Sequence, residues 1–306
     1  MQAEHTLEWS EPVREFIGFV SLFLANGAIG FRFAAVRHRL TRPKDDSERA
    51  IYHRALRHAA ILGLLGTLVQ TGLLVLQLPQ LAQRKHLSVG QLVMTDPQTN
   101  ARCVLLLLAL IGFSLAASAP LRLSRPSRLS VPWLLAAVGL IGAELSAVLS
   151  GRLEGMVNPV HQLLAGLWLG TLAVLVIAGL ATALRDAPRA QRGPIVADLV
   201  NGFSPLALVC GPLLVLTGII TALMHLHPFS SLWSTPYGYA LLSKLCIVAV
   251  VFTLGGWNWR RQRPRLGSEE AAGMIRRSAV WELTAATLVL IVTSILVSLP
   301  APRAPH

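Results

Sequence analysis

Residues 57–79 read RHAAILGLLGTLVQTGLLVLQLP, and no Asp, Glu, Lys or Arg occurs between Arg57 and Arg84. A stretch of about 20 apolar residues is what a helix needs to cross ~30 Å of hydrocarbon. Similar stretches lie near 14–36, 101–119, 131–150, 159–184, 195–225, 238–259 and 277–299. Backbone groups in lipid must satisfy their own hydrogen bonds, so each is expected as a helix. The sequence therefore predicts an all-α polytopic membrane protein with eight transmembrane helices. Composition agrees: 14% of residues are charged, against about 25% in soluble domains. Prolines 79, 120, 159, 194, 228, 236 and 300 fall at or near the expected helix ends.

The net charge of +12 reads as topology, because no long soluble segment is present to hold a nucleic-acid module. Nineteen Lys and Arg fall in the loops on one side of the eight spans and six on the other, with Arg32 and Lys244 inside spans. The positive-inside rule puts the basic loops in the cytoplasm and both termini on the non-cytoplasmic side. The N-terminus carries Glu4, Glu8 and Glu11 ahead of its first basic residue, so no cleavable signal peptide is expected. Thr95-Asp-Pro97 and Thr235-Pro236 stand before the third and seventh spans. This weak repeat divides the chain into four-helix halves, 1–150 and 151–306.

The second half resembles the copper resistance protein D (CopD) family over 158–302. The resemblance is carried by His161-Gln-Leu-Leu-Ala-Gly-Leu-Trp168-Leu-Gly170, by Phe203-Ser204 through Leu216-Thr217-Gly218, and by Thr235-Pro236-Tyr237-Gly238 with Leu241-Leu242-Ser243-Lys244-Leu245. Asn258-Trp-Arg260-Arg261, Trp281-Glu282-Leu283 and Leu299-Pro300 complete it. The resemblance implies a bacterial inner-membrane protein that moves copper from periplasm to cytoplasm, often beside a periplasmic copper-binding partner. The family's histidine near the outer end of the first helix has no counterpart in Phe16–Asn26.

Copper(I) favours thioether, thiolate and imidazole ligands. The candidate metal ligands are His161 and Met156 where the fifth span begins, and Met224, His225 and His227 where the sixth ends. Antiparallel packing of those spans is expected to bring His161 to Met224 or His225. His86 and Met94 lie in another outer loop, whereas His38, His53 and His58 are expected on a solvated, lipid-facing surface.

Ionisable residues inside a membrane are functional candidates by default. From their depths, Lys244 is expected to pair with Glu144, and Glu282 with Arg32. Asp198 reads as a first-turn carboxylate favoured by the helix dipole. Gln70 and Gln77 are expected to bond across helices or to line a polar path. Cys103, Cys210 and Cys246 lack metal-ligand spacing and read as small core residues. Trp9, Trp133, Trp233, Trp257, Trp259, Tyr237 and Tyr239 read as an aromatic belt. No nucleophile–base arrangement, phosphate loop or HExxH signature is present, so an enzyme is not expected. Beside copper handling, two readings stay open: a redox subunit holding haem b (through His161 and His225) or a quinone, and an accessory subunit of a larger membrane complex.

Overall fold

The computed structural model describes residues 9–36, 45–119, 130–147, 156–225, 230–262 and 269–299. These residues are almost wholly helical. The helices are α1 (Ser10–Gly30, continued by a π-helical turn, Phe31–Ala35), α2 (Asp46–Arg84), α3 (Val89–Thr95), α4 (Pro97–Ser118) and α5 (Val131–Leu145). Then follow α6 (Val157–Asp186), α7 (Arg189–His225), α8 (Ser231–Ser234), α9 (Pro236–Gln262) and α10 (Glu269–Ser298).

Seven of these are long and apolar enough to cross a membrane. The expected fourth span is the 15-residue helix α5, short of the usual crossing length; residues 148–155 lie outside the described residues. Two expected helix ends are interior positions. Pro79 lies inside the 39-residue α2, and Pro194 lies inside α7 with Pro205 and Pro212. Neighbouring helices let a membrane helix tolerate such breaks. Because α7 starts at Arg189, Asp198 falls in its third turn rather than its first.

Helices α1 and α6 form the centre. α1 packs on α2, α5, α6 and α10, and α6 packs on α1, α2, α5, α7 and α10. Lipid is as apolar as leucine, so such helices associate through close backbone approach rather than through hydrophobic exclusion. Gly27 and Gly170 show this: a Cβ on Gly27 would strike the Gly170 carbonyl, and one on Gly170 the Phe23 carbonyl. α6 is unusual in containing two π-helical turns, Gly166–Gly170 and Leu175–Leu180.

The main core runs through both halves of the chain, from Ala25 to Ala279. Outside it, α7 and α9 expose apolar side chains such as Leu208, Val209, Leu216, Leu245 and Val250, the surface a helix shows to lipid. Trp9, Trp233 and Trp257 are exposed, whereas Trp133 is only 5% exposed and meets Phe113 edge-to-face in the core. Trp133 therefore leaves the expected belt. Cys210 is buried, but Cys246 is exposed and is not a core residue.

Below, the "upper" end of the bundle is that of the α2–α4 and α7–α9 connections, and the "lower" end that of the α6–α7 connection.

Candidate functional site

The upper halves of α6 and α7 pack antiparallel. Their register is set where His161 Nδ1 lies 2.9 Å from Thr217 Oγ1 and the ring edge stands against Gly218. His161 thus meets Thr217 and Gly218, not Met224 as the spacing suggested. Met224 is seven residues, about 10 Å, further up α7 and is exposed. Met156 lies five residues before His161, just ahead of the first turn of α6. The side chain of His225, and His227 altogether, lie outside the described residues, and with them the second axial ligand of the haem reading.

The Thr217 hydroxyl settles which imidazole nitrogen is available. Its single hydrogen is directed to backbone carbonyls one turn back, Leu213 at 2.9 Å and Leu214 at 3.1 Å. Toward His161 the oxygen can then only accept, so Nδ1 carries the ring hydrogen and Nε2 keeps its lone pair. A metal-binding histidine is commonly held in this way, one ring nitrogen donating to an oxygen while the other binds.

Lys244, one helix over on α9, stands close enough for its charge to be felt at His161. Glu144 is occupied elsewhere. Its Oε1 accepts from Asn26 Nδ2 at 2.6 Å, and the charge facing it is Arg102 on α4. Lys244 and Glu144 therefore do not form the expected pair. The reason is packing: α5 lies against α4, α1 and α6, whereas α9 lies along α10.

Two turns below His161, Trp168 meets Phe252 of α9 with ring centroids 4.9 Å apart. Beneath that ring pair is a cavity of about 390 Å³ between α6, α7, α9 and α10. Its wall is mostly apolar, with Asn201, Ser204, Ser278 and Glu282 as polar points. Ser278 Oγ is buried without a hydrogen-bond partner. Glu282 is thus a cavity-lining residue. Arg32 is buried at the lower end of α1, near enough to His53 to be felt there.

His58 does not face lipid as expected. Its Nδ1 lies 3.1 Å from Thr182 Oγ1 near the lower end of α6. Gln70 bonds across helices, donating to Gly18 O at 2.6 Å and Ser21 Oγ at 2.8 Å. Sequence reasoning missed Asn26, Arg102, Thr217 and Thr182. A lone amide or hydroxyl in an apolar helix is an ordinary sight, and only the register between helices shows what it faces.

Among the described residues, no group of three or more His, Cys, Asp or Glu is placed to hold a metal ion.

The copper resistance protein D family matches the chain over residues 197–296. This stretch is the part of the chain that is similar to that family. It takes in most of α7, all of α8 and α9, and nearly all of α10. Helix α6, with His161 and Met156, precedes it. The chain is also 28% identical over 164 residues to the Bacillus subtilis (strain 168) protein named copper transport protein CutJ. That match covers 52% of this chain and 28% of the relative, so the chain spans little more than a quarter of the relative's length. No solved structure matches the chain.

Proposed function

We propose that the protein conducts copper(I) through the bacterial inner membrane, capturing it at the periplasmic face. One observation carries this reading. Thr217, within the stretch similar to the CopD family, holds His161 by Nδ1 and leaves Nε2 as a neutral nitrogen ligand, with Met224 about two turns further up α7. Thioether and imidazole are ligands suited to copper(I). The distribution of basic residues puts this end of the bundle on the periplasmic side, with both termini there. A periplasmic copper-binding protein is the donor expected to deliver the ion to it.

Lys244 has a definite part in this reading. A cation beside a cation site weakens binding, and a conduit must release what it takes up. The Trp168–Phe252 pair then acts as the constriction between His161 and the cavity, where Asn201, Ser204, Ser278 and Glu282 supply the next polar contacts.

The test is anaerobic copper(I) titration of the purified protein, with X-ray absorption at the copper edge. The expected result is sulfur and nitrogen scatterers in the wild type, and loss of the nitrogen component and most of the affinity in His161→Ala. Unchanged affinity and coordination in that variant would contradict the proposal.

A further inference from the structure

We infer that Glu144 and Asn26 form a proton-binding site between α1 and α5, in which the carboxyl holds an exchangeable proton between its Oε2 and Asn26 Oδ1. Asn26 is 0% exposed and is wedged against the first π-helical turn of α6, where a Cβ on Gly166 would come within 2.8 Å of its Nδ2. Its amide nitrogen donates to Glu144 Oε1 at 2.6 Å. The two remaining oxygens, Asn26 Oδ1 and Glu144 Oε2, are both buried without a hydrogen-bond partner.

Both oxygens are acceptors while the carboxyl is ionised. Leaving a buried polar atom unsatisfied costs about 1–3 kcal/mol. Rotating the amide does not help, because it would set oxygen against carboxylate oxygen and lose the bond already made. A proton on Oε2 removes the difficulty. The pair then closes as a carboxylic acid–amide dimer, with Nδ2–H donating to Oε1 and Oε2–H donating to Oδ1.

The ionised form also has a counter-charge. α5 packs against α4, α1 and α6. From α4 the charged group is Arg102, with Cys103 beside it. From α1 the facing group is the uncharged Asn26. From α6 the titratable group is His161, five residues above Gly166 and held by Thr217. Glu144 thus has a partner in each state: Asn26 when protonated and Arg102 when ionised. A membrane carboxyl with two alternative partners is the arrangement of a proton relay. The proton leaves to water at the upper end and returns from it, with no other bond made or broken.

This site touches the copper path through one element. Asn26 presses on the π-helical turn that follows His161 on the same helix, and π turns are often found where a helix adjusts for function. Coupling of proton release to copper passage rests on the copper-conduit reading; the proton site itself does not.

Infrared difference spectroscopy of the protein in liposomes, with exchange from H₂O to D₂O, tests the site. A carbonyl stretch of a protonated carboxylic acid is expected at neutral pH. It should shift on deuteration, vanish in Glu144→Gln and move in Asn26→Leu. Glu144→Gln should retain wild-type thermal stability, since glutamine reproduces the neutral, donating form. A spectrum in which Glu144→Gln removes no such band overturns the site. So does a Glu144→Gln variant whose stability falls and is restored by Arg102→Gln, the mark of a fixed ion pair. Copper flux measured on the same liposomes separates the two readings. The band without flux overturns the conduit and supports the proton site; flux without the band does the reverse.

Discussion

Two imidazole–hydroxyl pairs brace α6, one near each end, and they are not equivalent. His161–Thr217 lies at the upper end and His58–Thr182 at the lower end, at 2.9 and 3.1 Å. The α6 positions involved, 161 and 182, are separated by roughly 30 Å along the helix, close to the hydrocarbon thickness. The hydroxyl's other bond makes the difference. Thr217 has regular helix behind it and directs its hydrogen to Leu213 and Leu214, which commits His161 to Nδ1–H. Thr182 follows the π-helical turn Leu175–Leu180, and among the described residues its hydroxyl bonds to His58 alone. That threonine is free to donate or to accept, so nothing commits the ring of His58. The same two residue types thus give one ring with a committed tautomer and one without.

The largest test of this contrast is removal of each ring. His161→Ala is expected to weaken copper(I) binding by more than about a hundredfold, beyond the 10–100-fold typical of changes behind a ligand. His58→Ala should leave copper binding unchanged and cost about 0.6–1.7 kcal/mol of stability, the size of an interhelical hydrogen bond in a membrane. Competition titration against a copper(I) chelator and thermal unfolding measure the two effects. Equal losses of affinity would erase the distinction.

Exchange of the hydroxyls is the sharper test. Thr217→Val keeps the shape and removes the acceptor at Nδ1, and should weaken copper binding about 10–100-fold. Thr182→Val should not change it. Lys244→Met is expected to act in the opposite direction, tightening copper binding about tenfold, or about 1.4 kcal/mol, while slowing release. A weaker site in Lys244→Met would show that the ammonium supports the ion rather than opposing it.

The smallest expected effect lies away from both pairs, in the upper connection between α2 and α4. Asp96 caps α4 through Thr99 and pairs with Lys85 at 2.6 Å. The hydrogen bond from Lys85, followed by that from Thr99, lowers the Asp96 carboxyl from its ordinary 3.8 to about 2. A lowered carboxyl stabilises the fold above its unfolded value and loses that contribution as pH falls through the folded one. The connection should therefore loosen between about pH 4 and about pH 2. Asp96→Ala should cost about 0.5–2 kcal/mol locally at neutral pH. Hydrogen exchange of the amides of residues 97–100 reads both.

The all-helical membrane fold is legible in the sequence because apolar length is a property of one helix at a time. Stretches such as 57–79 need no partner to be recognised. The pairing of polar groups is a property of two helices and their register, and single-chain depth estimates handle it poorly. Lys244 and Glu144 sit at similar estimated depths, yet α9 and α5 are not neighbours. A motif points to His161, but the hydroxyl that orients it is 56 positions away. At α5 the apolar run continues past the described helix into residues 148–150, and the sequence expects a full span there. At His58 nothing local in the sequence distinguishes a histidine that meets a threonine on another helix from one that meets water.

The most direct test is copper(I) flux into proteoliposomes carrying wild type, His161→Ala or His58→Ala, each matched for folded protein. The account predicts flux in the wild type and in His58→Ala, and flux at the protein-free level in His161→Ala. Wild-type flux in His161→Ala, or equal loss in both variants, would contradict it.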